Sequence, residues 1–121
     1  MKPFITLIAL LTSMHMAAQI RVEADEKQTV MVNPAEHEYI YVSMAGGGTK
    51  SDVAVYVDYG QSQKMTLQHH AICDESRKRM LFNSEVHALN YLHQQGYEVV
   101  LRFTGFFLNK ETAAYLLRAY K

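Results

Sequence analysis

His69, His70, Cys73 and Asp74 lie in one short stretch of a 121-residue chain, and all four are types that hold zinc or copper through imidazole, thiolate or carboxylate. Neighbours on an extended chain point to opposite faces, so His69 and His70 reach a single ion only if the backbone bends between them. None of the spacings that mark structural zinc is present. The expectation is therefore a polar loop leading into a strand that buries Cys73, with no bound metal or cofactor. A metal-binding protein built on His69, His70 and Cys73, with Asp74 beside them, stands as the alternative.

Other chemistry-bearing residues are scattered. His87 and His93 share a helix-like segment but sit six positions apart, about 120° around a helix axis, which gives no paired site. His93 is expected to border the core and His87 to face water. Gly46, Gly47, Gly48, Thr49, Lys50 and Ser51 have the composition of a phosphate-binding loop. No glycine directly precedes Lys50, however, and strand-like rather than helical sequence follows. Asp58, Asp74 and Glu98 would serve as acid and base only if the fold set two of them at a defined separation in a cleft. No catalytic residue is assigned, and the expectation is a protein that is not an enzyme.

The elements that must position these residues are legible from patterning. Residues 39–45 are aromatic and β-branched and run into the glycines at 46–48, a strand and its stop. Residues 53–59 alternate, with Val53, Val55, Val57 and Tyr59 opposed to Ala54, Tyr56 and Asp58, which predicts a second strand closed by Gly60 and paired antiparallel with the first. Residues 71–74 and 80–82 flank the charged segment 75–79 and predict a second hairpin.

Ser84 is placed to cap a helix over about residues 84–95, with Glu85 in its positive first turn. Val86, Leu89 and Leu92 recur at helical spacing as its apolar stripe, and Gly96 stops it. Residues 97–103 alternate as a strand, with Tyr97, Val99, Leu101 and Phe103 on one face. The segment from Thr112 mixes helix and strand formers, and a final strand paired with 97–103 is preferred. The fold class is α+β: an antiparallel sheet of about four to five strands with one helix packed on one face.

Before these elements, residues 1–18 have the layout of a cleavable export signal: Lys2, an apolar run from Phe4 to Leu11, then small and mixed residues to Ala18. That run is about half of the roughly 20 apolar residues a membrane span requires. The only cysteine lies far downstream, so no lipid anchor is expected after cleavage, and the destination is the periplasm or the exterior. Residues 19–36 are mostly polar and contain Pro34, and are read as an extended tail with a short edge strand at 29–32. Residues 37–121 then form one small domain.

Cleavage removes one of 12 basic residues and none of 12 acidic ones, leaving 11 against 12. Arg77, Lys78 and Arg79 are the only basic run, too little to displace counterions from phosphates, so no nucleic-acid partner is expected. All eight tyrosines lie downstream of the signal, and an exposed subset would suit a partner-binding face.

Val57-Asp58-Tyr59-Gly60-Gln61, Phe82-Asn83-Ser84, Ala88-Leu89-Asn90-Tyr91 and Gly96-Tyr97-Glu98 carry a resemblance over roughly residues 39–121. The chain resembles a group of small exported bacterial proteins of unknown function and a related family of short uncharacterised domains. The resemblance implies a strand-rich domain with one helix and a closing strand. The function expected is a non-catalytic interaction module of the envelope or extracellular space, with a protein partner or self-association. A periplasmic inhibitor or immunity-type protein is a narrower form of it.

Overall fold

The structure, a computed structural model, describes residues 18–25, 27–46, 52–62, 64, 66, 69–107 and 110–120. The segment expected to be an export signal, apart from Ala18, and residues 47–51 of the glycine loop lie outside the described residues. Six strands and, among the described residues, one helix follow in the order β1 (Ile20–Glu23), β2 (Thr29–Val32), β3 (Tyr39–Ala45), β4 (Ala54–Asp58), α1 (Glu85–Gln94), β5 (Tyr97–Phe107) and β6 (Lys110–Ala119). This is a mostly-sheet α+β fold with two antiparallel sheets, one of β1 and β2 and one in the order β4-β3-β6-β5. No helix among the described residues is long and apolar enough to cross a membrane.

The helix is specified locally. The Ser84 hydroxyl accepts from the His87 N–H at 3.1 Å, satisfying one of the donors that a helix start leaves free. Gly96 leaves at φ +100°, the left-handed ending that a side chain makes costly. Tyr97 then enters β5 fully buried, in the same core cluster as Leu92. The buried stripe is Ala88 and Leu92, with Leu89 and Tyr91 partly covered. Val86, expected in that stripe, is exposed, because the face that meets the sheet is rotated toward Ala88.

Ile40 and Val42 on β3, Val55 and Val57 on β4, and Tyr115 and Leu117 on β6 form the sheet face beneath the helix. Each such fully buried aliphatic side chain stabilises the fold by roughly 1.5–3 kcal/mol. β4 departs from the half-buried strand its alternation suggested. Its other face is buried too, because Ala54 and Tyr56 pack with Ala71 and Phe107 in a second cluster.

Residues 19–36 are not a tail. Ile20, Val22 and Val32 have no exposed surface and belong to the main core cluster. Residues 70–73 make this possible by bonding on both sides. The Ile72 N–H donates to the Val55 carbonyl at 2.9 Å, and the Cys73 N–H donates to the Arg21 carbonyl at 2.9 Å. The segment thus joins β1 to β4, turning two sheets into one hydrogen-bonded surface. The chain then turns, bridges Cys73 with Arg79 as the second hairpin, and returns Phe82 to Val53.

Candidate functional site

The metal-type residues do not form one centre. His70 is 2% exposed and adopts φ +73°. That left-handed bend brings the His69 and His70 rings to 6.4 Å at nearly perpendicular planes, whereas an extended chain would have separated them. Each ring holds a buried Nδ1 without a hydrogen-bond partner. Cys73 lies further along the seam. Asp74 is taken up by its own turn, where its Oδ1 accepts from the N–H groups of Ser76 at 2.8 Å and Lys78 at 3.0 Å. Among the described residues no three of His, Cys, Asp and Glu come together as a metal site needs. Burial pushes the Cys73 thiol up, with Glu23 adding to the effect, and burial lowers His70.

The three carboxylates are likewise apart in role. Asp58 accepts from the Gly60 N–H at 2.9 Å within its own turn, and Glu98 pairs with Arg118 at 3.3 Å across the β5–β6 ladder. Asp58 and Glu98 stand on the two outer strands of the larger sheet, β4 and β5, with β3 and β6 between them. His87 is exposed and its Nδ1 accepts from the Asn83 N–H. His93 is exposed as well, stacked on Tyr120 at 4.8 Å rather than bordering the core.

A polar cluster that patterning missed sits under the start of α1. The Tyr115 hydroxyl donates to Glu85 Oε1 at 2.8 Å and accepts from Arg102 Nε at 3.1 Å, and Arg102 lies 3.6 Å from the same carboxylate. Burial and the Glu85 carboxylate both raise the Tyr115 phenol, which keeps it a neutral donor. Glu85 also edges a cavity of about 310 Å³, walled by Met44, Val53 and Phe107 with Lys110 and Thr112 at its side. These interactions tie the first helical turn to β5 and β6. They leave the Glu85 carboxylate engaged by two donors, and the described lining contains neither histidine nor cysteine.

Among the described residues, the most extensive unpartnered feature is the edge strand β5. It is an outer strand of the larger sheet, and among the described residues it pairs with β6 alone. Val99, Val100, Leu101 and Phe106 are all exposed, Phe106 at 79%. A bulge between Val99 and Leu101 sets them on both faces, so Leu101 and Phe103 leave the face that strict alternation assigns them with Val99. Leu101 then shares a cross-strand row with Leu116 and Tyr41, and the Tyr41 and Phe103 rings lie 5.3 Å apart. Half-exposed Tyr39 continues this face.

Natural edge strands are commonly guarded by lysine, proline or unpaired charge. Residues 97–107 contain neither lysine nor proline. Their two charges are neutralised within the chain, Glu98 by Arg118 and Arg102 by Glu85. Comparison with protein-family models, with curated proteins and with solved structures finds no match to this chain.

Proposed function

We propose that this protein is a non-catalytic interaction module, exported by a cleavable signal at residues 1–18 to the periplasm or beyond, whose docking surface is the outer edge of β5. The observation that carries the reading is the concentration of exposed apolar side chains on a strand whose outer edge has no partner among the described residues. Strand addition to such an edge supplies main-chain hydrogen bonds for affinity and alternating side-chain contacts for specificity. The dispersal of Asp58, Asp74 and Glu98 into separate local interactions supports a binding rather than a catalytic role.

The test pairs fractionation with capture. Expression in a bacterial host, followed by N-terminal sequencing of the envelope fraction, is expected to find a chain beginning at or near Gln19. Immobilised protein should retain partners from envelope extracts, and Phe106→Lys should lose them while keeping the parent far-UV spectrum. Retention of the full chain in the cytoplasm, or identical capture by both proteins, overturns the corresponding half of the proposal.

A further inference from the structure

The β5 edge matches itself, and we infer that its occupant is a second copy of this chain, paired β5 to β5 antiparallel about a two-fold axis at Thr104. The inference rests on the interaction reading above and names the partner for that surface. Its physical basis is the register that the bulge leaves available. The irregularity between Val99 and Leu101 ends the regular ladder there, so the uninterrupted strip of β5 is residues 101–107. Thr104 is its midpoint. Rotation about an axis normal to the sheet keeps each face on the same side, so residues of equal parity within this strip meet across the pair.

Centred on Thr104, the strip is self-complementary at each position. Thr104 faces its own equivalent, a favourable cross-strand pair. Phe103 faces Gly105, which has no side chain and over which the Tyr41 hydroxyl already lies, so the incoming ring joins Tyr41 and Phe103 in one aromatic cluster. Arg102 faces Phe106, setting the most exposed apolar side chain on the strand against the aliphatic stem of a residue whose guanidinium stays on Glu85. Leu101 faces Phe107.

Charge also selects a second copy over a charged partner. The edge presents no uncompensated charge, because Glu98 and Arg102 are both held internally, and without residues 1–18 the 11 basic against 12 acidic residues give two copies almost no net repulsion. The product is one continuous sheet, β4-β3-β6-β5 followed by the same strands in reverse order.

Sedimentation of the purified protein over a range of micromolar concentrations is expected to show a monomer–dimer equilibrium. Phe106→Lys should weaken it by about 30-fold or more, as for a central interface residue, with the parent's thermal midpoint at concentrations where both proteins are monomers. In a Cys73→Ala background, Thr104→Cys should form a disulfide-linked dimer on mild oxidation, since cross-strand Cβ atoms at the axis lie about 5 Å apart. Val99→Cys should not, its two copies being about 34 Å apart in this register.

A monomer at all concentrations, a dimer indifferent to Phe106→Lys, or cross-linking through Val99→Cys as readily as Thr104→Cys overturns the inference. A monomer that still captures envelope proteins through Phe106 overturns the second copy while leaving the interaction reading intact. A monomer whose capture is unaffected by Phe106→Lys overturns both.

Discussion

The Tyr97 hydroxyl donates a 2.7 Å hydrogen bond to the backbone carbonyl of His37, tying the first residue of β5 to the segment that leads into β3. Burial pushes the Tyr97 phenol up to about 12, so it remains a neutral donor across the neutral range. Tyr97→Phe keeps the buried ring and leaves the His37 carbonyl without this partner. Denaturant unfolding is expected to show a loss of about 1 kcal/mol, the usual net worth of such a bond. No loss would mean that water or a rearranged donor replaces the hydroxyl.

Gly46 and Gly60 offer a matched comparison, since both take φ +95°. A Cβ at Gly60 would meet nothing within 4 Å, whereas one at Gly46 would lie 2.5 Å from the Asp52 carbonyl oxygen. Gly60→Ala should therefore cost only the left-handed strain, about 1–2 kcal/mol. Gly46→Ala should cost clearly more, because backbone must move. Thermal denaturation of the two variants, compared with the parent, measures the difference, and equal losses would remove the steric argument at Gly46.

Stability should fall in mild acid through His70. Its folded pKa lies below the ordinary histidine value of 6.5, chiefly through burial, with His69 lowering it further and Asp58 opposing. Between the folded and unfolded values the unfolded chain binds more protons, so stability rises with pH there. The contribution is complete above about 6.5 and is lost as pH falls through the folded pKa. His70→Asn tolerates the left-handed backbone and cannot titrate in this range. Urea midpoints measured from pH 7 down to pH 5 should drop less steeply for the variant, and parallel curves would exclude His70 as the source.

Cys73 should be silent until the fold opens. The thiol is buried and its pKa is raised, so both access and thiolate fraction are low. Reaction with a chromogenic disulfide reagent is expected to be about 100-fold or more slower in buffer than in denaturant, tracking the unfolded population. Rapid labelling of the native protein would show that the seam at residues 70–73 opens locally.

The elements bounded by local signals were readable in advance. Ser84 and Gly96 delimit the helix through side-chain and backbone chemistry confined to a few residues, and the strands at 39–45 and in the C-terminal segment follow from composition and spacing. What was not readable depends on contacts remote in sequence. Ile20, Val22 and Val32 stand among polar neighbours and are core residues only because residues 70–73 supply β1 with a partner about 50 positions away. The second burial of β4 depends on Phe107 in the same manner.

The β5 bulge is a backbone event, invisible in side-chain alternation that runs smoothly through Val99, Val100 and Leu101. The Glu85–Tyr115–Arg102 cluster unites three elements, with Tyr115 lying 13 positions from Arg102 and 30 from Glu85 along the chain. The dispersal of Asp58, Asp74 and Glu98 was a question only the three-dimensional arrangement could answer.

The strand order β4-β3-β6-β5 places the last strand along the chain inside the sheet, between the hairpin arm made early and the strand made just before it. A ribosome or a translocase delivers residues in sequence order. Until residues 110–119 arrive, β3 and β5 have no common neighbour, and the halves of the sheet stay unjoined. Closure of the four-stranded sheet therefore waits for β6, the one strand that joins the β4–β3 hairpin to β5, whatever has paired before it.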